Sequence, residues 1–135
     1  TIEKNISKAR TWFVRGRVYA AIAKDYIDID SLALEKSIEA LNKVGSDEAK
    51  TNDIIMINNT QAELQNLYSY FFNSAIIYYQ GTDDQAVDLE KSLSNFQNAL
   101  IVNNRDTISL AYGGLVAQSL GKYDLTEKFW KKLAY

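Results

Sequence analysis

Asp25, Asp28 and Asp30 are the first side chains along this chain whose types and spacing could do chemistry. Closely spaced carboxylates can open a calcium loop, which needs glycine at its sixth position and a bidentate glutamate at its twelfth. Counted from Asp28, the fifth residue is Leu32, the sixth Ala33 and the twelfth Glu39, so the loop fails. The aspartates read instead as helix-capping residues. Asp83-Asp84 is a second acidic pair, and a helix start explains it, because carboxylates suit the positive end of the helix dipole. The chain has no His and no Cys. This removes the commonest general base, the thiolate nucleophile and thiolate zinc sites. A Ser-His-Asp set cannot be assembled, and the sequence has no glycine-rich phosphate loop. The expectation is a protein that is not an enzyme and takes no cofactor or metal.

Binding chemistry is better represented. Nine Tyr, five Phe and two Trp stand in 135 residues. Tyr68, Tyr70, Phe71, Phe72, Tyr78 and Tyr79 form the densest group, at a spacing that core and inter-repeat packing explains better than an aromatic ligand box. Arg10, Phe13 and Arg17 follow steps of three and four and so share one face of a helix. Aromatic and Arg side chains are those most often found at binding hot spots. Two cations beside aromatic surface suit an acidic or carboxylate-bearing peptide. Phe72 and Tyr79, seven apart on a later helix, are expected beside them.

The positioning elements are helices. Hydrophobic residues make up 47% and charged residues 24%, ordinary values for a folded domain, and there is no Pro to break helices. Residues 9–24 carry Trp12, Val14, Val18, Tyr19, Ala21 and Ile22 at helical spacing. Asp30 or Ser31 can cap a second helix through Leu34, Ile38, Leu41 and Val44, which Gly45 ends. A third helix is predicted over about 58–79, with Glu48 as an earlier possible start and Asn58-Asn59-Thr60 as its weak point. Gly81 stops it. Thr82-x-x-Gln85 reads as a capping box for a fourth helix over 83–102. Asn103-Asn104 is a turn, the fifth helix covers about 106–120, and the sixth covers 123–134. Short connections predict antiparallel neighbours.

Charge is uneven. Residues 1–24 hold six Lys/Arg against one Glu, and 25–53 hold three Lys against eight Asp/Glu, within a net charge of −2. Solvated helix faces explain this, and no basic patch is large enough for nucleic acid. No apolar run reaches the length of a membrane span. No signal-peptide pattern is read in these residues. The chain begins without Met and in helical spacing, as expected for a fragment of a longer or processed protein.

Three segments resemble the tetratricopeptide repeat, W-x2-L-G-x2-Y on one helix and A-x3-F-x2-A on the next. Trp12, Gly16 and Tyr19 match the first helix, with Arg15 in place of Leu, and Ala33, Ser37 and Ala40 match the second. Phe71, Ala75 and Tyr78 are followed by Ser92, Phe96 and Ala99. Leu110, Gly114 and Ala117 are followed by Thr126, Trp130 and Leu133. The small residues Gly16, Ala75 and Gly114 let the second helix approach. Departures are clear: from Tyr19 to Ala33 and from Tyr78 to Ser92 the gap is 14 residues, against about 9 in the family. The terminal Pro is missing, and the first two repeats are offset by 59 residues rather than about 34.

The resemblance implies an all-α, right-handed α-α superhelix of three helical hairpins, lengthened in the first two. It implies a single domain over 1–135 with repeats at about 9–45, 46–104 and 105–135. Such arrays bind a peptide or protein segment on the concave face lined by first helices. Carried over by position, that face comprises Arg10, Phe13, Arg17, Ser69, Phe72, Ile76, Tyr79, Ile108, Leu115 and Gln118. The two-carboxylate clamp of chaperone-binding members needs Lys and Asn there. Phe13, Arg17, Ile108 and Tyr112 replace them and only Asn73 fits, so that partner is rejected. Trp12, Arg15, Gly16 and Tyr19, followed by a long aromatic-rich helix, also resemble bacterial cell-envelope members of the family, which implies a periplasmic or envelope location. The alternative reading is a structural domain that self-associates through its repeat ends. With no His, no Cys and a failed calcium loop, the melting temperature is expected not to move when calcium, zinc or a chelator is added. A reproducible rise with calcium would point back to Asp25, Asp28 and Asp30.

Overall fold

The computed structural model describes residues 2–46 and 49–134. Among them are six helices and no strand: α1 (Ile2–Asp25), α2 (Ala33–Lys43), α3 (Ile54–Gln80), α4 (Leu89–Val102), α5 (Thr107–Ser119) and α6 (Tyr123–Ala134). The protein is all-α. The chain divides into two compact units, Thr1–Leu67 and Tyr68–Tyr135.

In the first unit α1 and α2 form an antiparallel hairpin. The buried side of α1 is built from Ala9, Gly16, Ala20 and Ala23, all small. Against it α2 presents Ala33, Leu34, Ser37, Ala40 and Leu41. A Cβ on Gly16 would stand 2.6 Å from Leu41 Cγ, so only glycine permits this approach. The Ser37 hydroxyl donates to the Gly16 carbonyl at 2.7 Å. Ala9, Ala49 and Met56 form a second cluster, flanked by Trp12 and Val44.

The second unit repeats the contact twice. Ser92 Oγ donates to the Ala75 carbonyl at 2.9 Å, and Thr126 Oγ1 to the Gly114 carbonyl at 3.2 Å. Ser37 and Thr126 each sit one turn before the side chain that packs over the glycine, Leu41 over Gly16 and Trp130 over Gly114, and Ser92 stands one turn before Phe96 of the core. The core of this unit contains Ala75, Leu93, Phe96, Leu100, Leu110, Val116, Ala117 and Phe129. A fully buried side chain of the size of Phe96 contributes about 1.5–3 kcal/mol.

The structure corrects several expected boundaries. It gives α2 the N-cap Leu32, with no side-chain cap. Asp30 acts two residues earlier, its Oδ1 accepting the Leu32 N–H at 2.9 Å. Helix α3 begins at Ile54, where Asp53 Oδ1 accepts from Met56 N–H, and runs through Asn58-Asn59-Thr60. Within that stretch the Thr60 hydroxyl is buried and donates back to the Met56 carbonyl, so its polar group is satisfied inside the helix. The Glu48 start lies outside the described residues. Helix α4 does not begin at Asp83. Thr82 and Gln85 close a turn on each other, and Asp88 caps α4 by accepting the Lys91 N–H. Asp83-Asp84 therefore lies in the 81–88 loop rather than at a helix start. Gly45 and Gly81 end their helices at φ values of 79° and 73°, a region that side chains rarely adopt.

The first hairpin also has a different internal register. Ser37, rather than Ala33, is the counterpart of Ser92 and Thr126, since all three hydroxyls bond the facing small residue. Ala and Ser are both small, so the sequence pattern alone fits either alignment. Gly16→Leu and Gly114→Leu are each expected to lower the melting temperature by several degrees, consistent with ~1–3 kcal/mol of overpacking. The Gly16 variant suffers more, because Leu41 is fully buried whereas Trp130 has room to swing outward. Circular-dichroism melts check both. Curves within about one degree of the parent would contradict close packing at that position.

Candidate functional site

The sequence-predicted residues fall into two groups. Arg10, Phe13 and Arg17 belong to the first unit. Arg10 and Arg17 are exposed and Phe13 is half-buried. Phe13 and Arg17 meet, with the guanidinium 5.8 Å from the ring centroid. Arg17 Nε also lies 3.2 Å from Glu63 Oε1. That pair compensates the cation on which an acidic ligand would rely.

The other seven residues lie in the second unit, on α3 and α5. Ser69, Phe72, Ile76 and Tyr79 are half-buried, and Gln118 is exposed. Ile108 is 48% and Leu115 41% exposed. Between them stands Tyr112, 40% exposed, which the carried-over set omits. Its signal was available in the spacing, because 108, 112 and 115 step by four and three along one helix face. Tyr112 joins α5 to α3 through Tyr79, with ring centroids 5.9 Å apart and nearly edge-on. It also stacks on Phe96 at 6.4 Å. Phe96 meets Phe72 edge-on, and Phe72 stacks on Tyr68. A continuous run of rings thus underlies the exposed strip, and each ring's packing fixes the next.

The charge pattern of this face is equally specific. Residues 68–80 and 107–119 contain no Asp, Glu, Lys or Arg. Its polar groups are amides and hydroxyls such as Asn73, Gln118 and Ser119. The face can take apolar or aromatic surface and donate or accept neutral hydrogen bonds. Among the described residues no group of three or more His, Cys, Asp or Glu is placed to hold a metal ion. No helix there is long and apolar enough to cross a membrane.

Asp106 anchors one end of the face. As N-cap of α5 it accepts from the Ser109 N–H and hydroxyl, and from the Tyr68 hydroxyl at 2.5 Å. Burial first, and then this bond to a carboxylate, push the Tyr68 hydroxyl up to about 12. No family model, curated protein or solved structure matches the chain.

The raised Tyr68 pKa sets a sign. The contact stabilises the fold while the phenol stays protonated, and its contribution is lost as pH rises from about 10 toward about 12. The melting-temperature difference between parent and Tyr68→Phe is expected to be constant below that window and to shrink within it. A difference independent of pH up to about 12 would contradict the Tyr68–Asp106 bond.

Proposed function

We propose that this chain is a tetratricopeptide-like array of three helical hairpins that binds a peptide or protein segment, without catalysis, on its first-helix face. The observation that carries the reading is the exposed strip Ile108–Tyr112–Leu115 beside Tyr79 and Ile76. Contiguous apolar exposure on a folded domain marks a contact surface. Half-buried aromatics held by ring packing supply such contact at low entropic cost. The recurrent hydroxyl contact at Gly16, Ala75 and Gly114 supports the repeat reading, because the same join is made in each hairpin. With no full charge on residues 68–80 or 107–119, the favoured occupant presents a neutral, apolar face there. A right-handed superhelix with first helices lining the concave side is the arrangement that the resemblance implies. A cell-envelope setting goes with the Trp12-Arg15-Gly16-Tyr19 pattern.

One observation favours self-association as a second reading. Helix α6 leaves Tyr123 and Leu133 exposed at 68% and 38%, and the outer edge of Trp130, whose ring packs over Gly114, at 37%. A second copy could cover that face.

The test is capture of the partner from the native organism, followed by affinity measurements. Tyr112→Ala and Leu115→Glu are expected to weaken binding by about tenfold or more while helicity is unchanged. Unchanged affinity in both variants would remove the face from the interaction. A concentration-dependent dimer abolished by Trp130→Glu would favour the second reading.

A further inference from the structure

A row of alternating cations and rings runs along the α1/α2 hairpin. Lys43 Nζ lies 4.1 Å from the Trp12 ring centroid, and Arg15 Cζ 5.6 Å from that ring. Arg15 Cζ is also 5.5 Å from the Tyr19 centroid, and Lys36 Nζ 5.3 Å from it. The antiparallel pairing produces this order: Trp12, Arg15 and Tyr19 step along α1, while Lys43 and Lys36, seven apart, come up from α2.

The two ends of the row are compensated. Lys36 pairs with Asp30 at 2.7 Å and Lys43 with Glu39 at 3.5 Å. The middle is not. Arg15 is exposed and has no carboxylate partner among the described residues. Rings on two sides hold its guanidinium, so little side-chain freedom remains to be lost on binding. Its N–H groups lie in the guanidinium plane, suited to a two-pronged grip on a carboxylate. Lys8, seven residues away on the same face of α1, is also exposed and without a carboxylate partner among the described residues. Val14 and Val18 flank Arg15, more than half exposed.

We propose that this face is a second interaction surface, and that it docks an acidic segment of a partner protein through Arg15 and Lys8. It is separate from the neutral strip on α5 and does not depend on that reading. It is also separate from Arg10 and Arg17, since two residues along a helix turn about 200° around its axis. Charge complementarity sets the partner's chemistry. Seven residues of helix span about 10 Å. A matching ligand therefore carries carboxylates seven apart on a helix, or about three apart in an extended segment. Asp30, just before α2, and Glu39 on it sit in the row as the partners of Lys36 and Lys43, and these carboxylates disfavour a continuous polyphosphate strand.

Trp12 lies inside the row and reports on it. In a Trp130→Phe background it is the one indole in the chain. The probe is a synthetic dodecapeptide with Glu at every third position among Ala and Ser. Its control has Gln in place of every Glu. The Glu peptide is expected to change Trp12 emission saturably, and the Gln peptide is not. Affinity should fall several-fold when salt rises from about 50 to about 300 mM. Arg15→Gln should weaken binding by about tenfold or more, with Arg15→Lys retaining part of it. Lys8→Gln, which leaves the rings untouched, should weaken it without moving the melting temperature. No saturable response, an equal response to the Gln peptide, or Arg15→Gln and Lys8→Gln variants that bind like the parent would overturn the proposal. A melting temperature lowered by Arg15→Gln with binding intact would make the row a packing device. Tighter binding of a single-stranded oligonucleotide of equal charge would replace the acidic segment with nucleic acid.

Discussion

The close approach of two helices at one small residue is the constraint on which each hairpin depends. At Gly16, Ala75 and Gly114 the facing helix comes near enough for a Ser or Thr hydroxyl to reach a main-chain carbonyl. That bond is worth only about 1 kcal/mol net. Its geometric effect is larger, because it fixes which turn of one helix faces which turn of the other. Side chains then fall into place: Leu41 over Gly16, Trp130 over Gly114, and Phe96 in the same core as Ala75. The connecting loops, 26–32, 81–88 and 120–122, differ in length around this fixed point. Lengthening a surface loop costs little, since closure entropy grows only logarithmically with its length.

The two units use their surfaces differently. In the first, cations and rings alternate over α1 and α2, and Arg17, Lys36 and Lys43 are each answered by a neighbouring carboxylate. In the second, the exposed strip of α5 and the adjoining part of α3 are free of full charge. A ligand suited to one surface would therefore be a poor ligand for the other, and salt would weaken only the charged one.

Much of the helical layout was legible in the sequence because its signals are local. Gly45, Gly81, Asn103 and the Gly121 turn end helices where their conformations or caps require it. Helices α5 and α6 fall within a residue or so of expectation. The start of α4 was not legible, because two capping signals stand in series and only tertiary contact chooses between them. Thr82 and Gln85 satisfy each other, while the Asp88 N–H bonds the Tyr78 carbonyl and places Asp88 as the cap. The register of the first hairpin was ambiguous for a different reason: Ala33 and Ser37 are interchangeable by size, and the hydroxyl's destination decides. At the candidate face, Ile108 and Leu115 came by position from the resemblance, and both are exposed. Position could not show that Glu63 compensates Arg17, or that Tyr112 links α5 to α3.

Between Glu63 and Asp83 the chain carries no full charge. That stretch is rich in Tyr, Phe and Ile, and it contains no proline. As α3 it is harmless, because its backbone groups are satisfied within the helix. Released from the helix, the same residues have high β-propensity and no charged gatekeeper to interrupt cross-strand pairing between chains. The uncharged face that suits a neutral partner is thus also the segment from which misassembly would start. Conditions that melt the helix around Phe71 and Phe72 should bring precipitation sooner than loss of either end of the chain.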